Sequence, residues 1–337
     1  MERRASPPAN PQPYRRLVTF PNSPHHQYMG FGRKLCIFLL LGSLSAVSAF
    51  AGIVDDVRTA LSQNAIASAE SELNSYKTQH GIDPEYLEAL SWMARAALFN
   101  QQYGKAITDA KDVRTLTVAQ LKMRKLDADD HLPTALGAAY EVEAQALTAQ
   151  GQKAQAVALL RGALRTYGET SIHARLQKNL NSLTFVGEPA PPLRETEFIG
   201  NAPPSLAKLK GSPVLLFFWA HWCVDCKGEA PILARLRSEF GSQGLVFLAP
   251  TQRYGTAARG EDATPKQETA YIESVWRQYY SGLQGVPVPV SKTNFDVYGA
   301  STTPTLVLVD RAGKIAFYHP GALPYEELRA AVDKVVR

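Results

Sequence analysis

Apolar residues are arranged in two different ways along this chain. From about Val54 to Leu183 the sequence reads as helices rich in Ala, Leu, Gln and Lys, with few strand signals. Composition then changes at Phe185-Val186-Gly187-Glu188-Pro189-Ala190-Pro191-Pro192, a Pro-rich boundary. Beyond it, short apolar runs alternate with helical segments. Arg194–Ile199 and Pro213–Trp219 read as strands, and the continuous apolar character of the second predicts burial on both faces. Cys223–Phe240 reads as a helix, Leu245–Ala249 as a strand, and Lys266–Tyr280 as a helix within the long segment 251–285. Thr305–Asp310, a turn at Arg311-Ala312-Gly313, the strand Lys314–Tyr318 and a helix from Tyr325 to Val336 complete the pattern. Strands alternating with helices imply an α/β sheet, and the final strand pair adds an antiparallel edge. The expected organisation is therefore a leader over 1–51, an all-α domain over 52–185 and an α/β domain over 186–337.

Within the helical part, Leu90–Ala94 through Tyr103–Ile107 resembles a tetratricopeptide hairpin. Ala94 and Ala106 would let two antiparallel helices approach closely, with Gln101-Gln102-Tyr103-Gly104 at the turn. A second copy runs through Ala144, Gly151–Ala156 and Leu160. Ala106 and Ala156 are 50 residues apart rather than the repeat's usual ~34, which requires an insertion around Leu116–Pro133. A plain helical bundle accounts for the same residues. Both readings give an all-α domain suited to partner contact or assembly.

Net charge changes little once it is located. Of 36 Lys and Arg and 31 Asp and Glu, six and one fall in residues 1–51, so the remainder carries 30 of each. The formal +5 is thus a property of the N-terminal segment, and it gives no support to nucleic-acid binding. In that segment Arg33-Lys34 precedes the apolar run Leu35–Leu41, which continues to Val47 and ends in Val47-Ser48-Ala49 and Ala49-Phe50-Ala51. A basic start, a short apolar stretch and Ala-x-Ala sites describe a secretory signal peptide, which places the mature chain in the periplasm or another extracytoplasmic compartment. An uncleaved membrane tether through residues 35–49 is the alternative. The Pro- and Arg-rich residues 1–28 are unusual upstream of such a signal, so translation is expected to start at Met29.

Cleavage would remove Cys36 and leave Cys223 and Cys226 as the exported chain's cysteines. One close pair does not make a disulfide-stapled scaffold, so the pair is expected to work rather than to hold. It lies where the strand Pro213–Trp219 would turn into a helix. Cys223 at the helix start would have its thiolate stabilised by free backbone N–H groups and the helix dipole, and so would attack a substrate disulfide. Cys226, one turn further in and less exposed, would resolve the mixed disulfide. A zinc half-site needs more ligands than the scattered His80, His131, His173, His221 and His319 offer. Neither metal nor cofactor is expected.

Residues from about Glu188 to Arg337 resemble the thioredoxin fold, in its exported TlpA/ResA-like thiol-disulfide oxidoreductase branch. The match rests on Phe218-Trp219-Ala220-x-Trp222-Cys223-x-x-Cys226-Lys227-x-Glu229-x-Pro231, on Thr303-Pro304-Thr305, and on Val309-Asp310-Arg311-x-Gly313-Lys314-Ile315. Gly187-Glu188-Pro189-Ala190-Pro191 and Leu206-x-x-Leu209-Lys210-Gly211 fit the same branch. The resemblance implies that Glu229 is a partly buried carboxylate near the cysteines, with a raised pKa, that exchanges a proton with Cys226. It implies that Pro304 is a cis-proline facing the thiols, with Thr303 presenting its backbone to a substrate chain. Plain thioredoxins instead bury an aspartate six residues before the first cysteine, where this chain has Phe217. Trp222 is expected to flank the thiol and contact substrate, Trp219 to pack in the core, and Pro231 to kink the helix.

Val224-Asp225 between the cysteines lacks the proline common in relatives. The acidic residue should disfavour the Cys223 thiolate and favour a reducing couple, with Lys227 and His221 acting the other way. The expected function is thus an extracytoplasmic disulfide reductase. Its partners would be protein disulfides or thiols and an electron-donating membrane or periplasmic redox protein. A peroxiredoxin-like peroxidase is a second reading, but such sites carry Thr three residues before the cysteine, where this chain has Ala220. A non-catalytic partner-binding scaffold is a third. The segment 251–285, with Arg253, Tyr254 and Arg259 early in it, would be a lid, a partner surface or a solvated insertion.

Overall fold

The computed structural model describes residues 52–337, of which 53–337 form one compact unit. The expected leader, its Met29 start, Cys36 and the tether at 35–49 lie outside the described residues. Among the described residues, no helix is long and apolar enough to cross a membrane.

Seven helices come first: α1 (Ile53–Ser62), α2 (Ile66–His80), α3 (Pro84–Phe99), α4 (Tyr103–Gln120), α5 (His131–Ala149), α6 (Lys153–Tyr167) and α7 (His173–Thr184). Three hairpins share one turn. Asn64, Gln101 and Gly151 each adopt a left-handed φ, of 58°, 58° and 79°. Around each, the residue's own N–H bonds back three positions (to Leu61, Leu98 and Thr148 O) and the next N–H bonds back five (to Ala60, Ala97 and Leu147 O). This Schellman pattern satisfies the last carbonyls of the first helix and reverses the chain at fixed geometry. Five residues after each left-handed position stands an alanine, Ala69, Ala106 and Ala156, each with no exposed surface. A side chain ending at Cβ lets the paired helices close on each other, and any longer one would hold them apart.

The second and third hairpins are those expected from the sequence, and the first is additional. The wide spacing arises from the connection 121–130, which holds a 3₁₀ turn at Leu126–Ala128. Odd-numbered helices pack side by side, α1 on α3, α3 on α5 and α5 on α7, with the even-numbered helices behind them. Start signals are uneven: Asp83 caps α3 by accepting from Tyr86 N at 2.8 Å with Pro84 next to it, whereas α4 and α6 have no side-chain cap.

The α/β part contains β1 (Phe198–Ile199), β2 (Val214–Phe218), α8 (Val224–Phe240), β3 (Val246–Leu248), α9 (Pro265–Tyr279), β4 (Val288–Pro289), α10 (Lys292–Tyr298), β5 (Thr305–Val309), β6 (Ile315–Pro320) and α11 (Tyr325–Val336). The main sheet runs β3-β2-β5-β6; β2 and β3 are parallel, and β5 is antiparallel to both β2 and β6. Every residue of β2 and β5 is buried. Alternation explains why: Leu215, Phe217, Leu306 and Leu308 face the core under α8, α9 and α11, while Val214, Leu216, Phe218, Val307 and Val309 face Phe295 and Tyr298 of α10. The continuous apolar run of β2 follows from having two covered faces.

Expected strands and helices are present with shifted ends, with one larger correction. Arg194–Ile199 is a strand only at its last two residues. Arg194 N donates to Asn294 Oδ1 at 2.7 Å and Asn294 Nδ2 donates to Arg194 O at 3.1 Å, so a side chain satisfies this backbone in place of a neighbouring strand. Helix α10 was not foreseen.

The two parts meet at α7, which packs on α10 and β6. Phe185, just past α7, lies edge-on to Tyr298 and Tyr318. Gly299 closes α10 with φ +61°, and a Cβ there would lie 2.3 Å from Lys178 N. Only glycine permits that approach of two backbones.

Candidate active site

Strand β2 leads through Trp219–Trp222 into α8, and this bend fixes the cysteines. Trp219 Nε1 donates to Ala249 O at 3.0 Å, and Thr251 Oγ1 donates to Trp219 O at 2.8 Å. Cys223 is the N-cap of α8, and its Sγ accepts from Cys226 N at 3.0 Å. Cys223 and Cys226 are joined as a disulfide, with Cα atoms 5.3 Å apart. On reduction, the same backbone donor and the helix terminus would favour a thiolate on Cys223.

Thr303–Pro304 is a cis peptide, and Thr303 O lies 3.4 Å from Cys223 Sγ. An oxygen lone pair at that distance repels a thiolate and accepts from a thiol, so it opposes the helix end. Both cysteines are buried, at 3% and 0% exposed, with Cys226 the less exposed of the two. The rim is what solvent meets: Trp222 and Val224 are 54% and 77% exposed.

Glu229 lies three residues beyond Cys226 and is only 2% exposed. Burial pushes its pKa up to about 7, the N–H of Leu323 at 3.4 Å pulls it partly back, and Asp225 raises it further. No cation faces it among its described ion pairs, so the carboxyl can hold or release a proton near neutrality. Pro231 lies inside α8, five residues beyond Cys226.

His221 is buried, and burial lowers its pKa despite a hydrogen bond from Nε2 to Glu268 Oε1 at 3.2 Å. Burial thus favours its neutral form, which weakens one of the two groups expected to offset Asp225. The other, Lys227, places its ammonium 4.7 Å from the centre of the Tyr279 ring.

Glu268, on α9, was not anticipated. Its carboxylate accepts from the backbone N–H of Tyr254 and of Gly255, the latter at 2.8 Å, as well as from His221. It thereby ties the start of the 251–285 segment to the cysteine bend. Tyr254 lies edge-on to both His221 and Trp222. Arg253 forms a two-pronged pair with Glu197, and Arg259 is exposed. The capping box Thr264/Gln267 with Pro265 marks the start of α9 in the sequence and so shows that Glu268 lies in a first helical turn. Nothing local shows that it meets a histidine 47 positions earlier. Among the described residues no His, Cys, Asp and Glu cluster is arranged to hold a metal.

A cysteine pair poised between dithiol and disulfide, at the N-terminus of a helix leaving a central strand, defines a thiol-disulfide oxidoreductase site. Residues 203–336 match the family described as thioredoxin-like domain, and they belong to it. The thioredoxin-like protein YneN of Bacillus subtilis is 27% identical over 130 residues, covering 38% of this chain and 68% of that protein. The thiol-disulfide oxidoreductase ResA of Oceanobacillus iheyensis is 26% identical over 163 residues, 47% and 77% of the two chains. The thiol:disulfide interchange protein DsbE of Xylella fastidiosa is 31% identical over 115 residues, 34% of this chain and 50% of that one. Among solved structures, the pneumococcal exposed lipoprotein thioredoxin Etrx1 of Streptococcus pneumoniae covers 42% of this chain and 99% of its own, at 25% identity and a TM-score of 0.33. The C-terminal region thus carries a thioredoxin-like domain, similar in sequence to the thiol-disulfide oxidoreductases ResA and DsbE.

Proposed function

We propose that this chain is an extracytoplasmic reductase of protein disulfides. The observation that carries the reading is the Cys223–Cys226 disulfide at the start of α8 with Glu229, buried and in no ion pair among the described residues, on the same helix. The reduced Cys223 thiolate attacks one sulfur of the substrate disulfide. That S–S bond breaks, a mixed disulfide forms, and the displaced sulfur leaves as a thiolate and takes a proton. Glu229 accepts the proton of Cys226, and the Cys226 thiolate then attacks Cys223 Sγ. The second substrate thiol departs and the enzyme is left as the disulfide described above. Two electrons from a membrane or periplasmic dithiol partner restore the reduced form.

Thr303 and Pro304 would line the substrate strand, and Trp222 would cover the reacting sulfurs. The division is read as 52–185 and 186–337, with the three hairpins as tetratricopeptide-like repeats. Residues 1–51 would direct export, by cleavage or by the tether at 35–49.

The test is the reduction potential of the Cys223–Cys226 pair together with insulin-disulfide reduction. A potential near roughly −270 mV and activity lost in Cys223→Ser support the proposal, whereas a value near roughly −120 mV makes the protein an oxidant and overturns its direction.

A further inference from the structure

One cluster of charge lies outside the redox site. On the side-by-side helices α1, α3, α5 and α7 stand Arg58, Arg95, Glu141, and the pair Arg175 and Lys178. Glu141 is fully engaged: Lys178 Nζ donates to Oε1 at 2.8 Å and Arg175 Nε to Oε2 at 2.6 Å. Glu88, the other nearby carboxylate, takes His131 Nδ1 at 2.8 Å.

Arg95 is left with the face of Trp92, 4.1 Å from its guanidinium, and makes no ion pair among the described residues. Burial and then Arg175 pull its pKa down to about 9, against the carboxylates of Glu141 and Glu88, which hold it up from a distance while each is paired elsewhere. A half-buried cation facing other cations is unfavourable until an anion completes it. The guanidinium fork matches a carboxylate in shape as well as charge.

The cluster also reaches the redox site. Lys178 Nζ donates to Thr302 Oγ1 at 3.3 Å, and Thr302 precedes Thr303, whose carbonyl contacts Cys223 Sγ. Lys178 thus stands beside the loop that holds Thr303, and Arg175, three residues before it on α7, is close enough to Arg95 to act on its charge.

We propose that Arg95, with Arg175 and Lys178, binds an acidic side chain of the same polypeptide whose cysteine is being exchanged, a few residues from that cysteine. The helical stack would then select substrates by the charge flanking their cysteines. This rests on the dithiol-disulfide exchange proposed above.

The experiment is a competition on the full chain. Two disulfide-linked peptides are mixed that differ only in carrying Glu and Asp or Gln and Asn beside the cysteine, and the ratio of their kcat/KM values is read. The acidic peptide should be preferred by about 10-fold at low salt, the worth of one charge-assisted pair, with the preference shrinking as salt rises. Arg95→Gln should bring the ratio to about 1. Arg95→Lys, which keeps the charge and loses the fork, should give an intermediate value. A wild-type ratio near 1, or a preference that Arg95→Gln leaves intact, overturns the proposal. Calorimetric binding of an acidic peptide with Ser in place of Cys tests the site without any exchange chemistry. Binding in the absence of disulfide turnover would leave the charge site standing and defeat the reductase reading; its loss on Arg95→Gln is expected, and no binding by the wild type overturns the site.

Discussion

Glu229 in the redox site is buried and Glu141 in the helical stack is partly buried, yet their surroundings push them in opposite directions. Burial raises Glu229 to about 7, and nothing positive opposes it. Burial would raise Glu141 too, but Lys178 and then Arg175 hold it well below the usual carboxylate range. Lys178 itself is lowered, because its burial outweighs the attraction of Glu141. One carboxyl is thus free to carry a proton while the other is a permanent charge that fixes two helices. Partners decide the role of a buried acid, and burial alone does not.

The strongest way to break the comparison is Glu141→Ala. It would strand Arg175 and Lys178 without their counter-ion, and unfolding in denaturant should show a loss of about 3–5 kcal/mol. If the loss were under ~1 kcal/mol, the fixed-charge role would be wrong.

Glu229→Gln should act the opposite way and depend on pH. A carboxyl raised from 4.5 to about 7 binds more protons when folded, so the oxidised protein loses stability as pH rises through that window. The variant should match wild type near pH 4 and exceed it by up to about 3 kcal/mol at pH 8. The resolving step, followed by rapid mixing, should slow by about 10²-fold and lose its inflection near neutrality. A stability difference independent of pH would show that Glu229 does not titrate there. For Glu141 the sign reverses: its contribution is present above the ordinary carboxylate pKa and is lost as pH falls through its depressed value.

Glu268→Gln sharpens the contrast with a third buried acid, held by donors rather than by cations. An amide nitrogen would meet donors from Tyr254, Gly255 or His221. Thermal unfolding should show a loss of about 2 kcal/mol, with a shifted Cys223–Cys226 potential as the bend loosens. A destabilised variant with an unshifted potential would leave Glu268 a purely structural role. The smallest effect belongs to Thr302→Val, which removes the hydroxyl that Lys178 meets. Stability should fall by less than about 1 kcal/mol, and a larger loss would mean that the two parts depend on this contact more than its 3.3 Å geometry implies.

Local pattern made much of this molecule legible. The apolar run of β2, the helical spacing after Cys223, the Gly313 turn and the Pro-rich change near 185–192 each carry their own signal, because period and turn chemistry act over a few residues. The proximity of Cys223, Cys226 and Glu229 was equally readable, because they stand within seven residues at the N-cap and first turns of α8. What escaped the reading was set by contacts between distant segments. Helix α10 is seven residues long and earns its stability by covering one face of the sheet. The first hairpin hid because Asn64, unlike Gly151, does not by itself advertise a left-handed turn.

The sequence alone determined an all-α part followed by an α/β part, and a Cys-x-x-Cys at a strand-to-helix bend. These follow from side-chain period and covalent spacing, which need no partner to be read. Tertiary structure decided the electrostatics: that burial favours the neutral form of His221, that Glu229 stands near neutrality while Glu141 stays charged, and that Arg95 makes no ion pair among the described residues. It also decided that α7 reaches the loop beside Cys223. Charge states depend on burial and on which groups meet across dozens of residues, and only the folded chain brings those groups together.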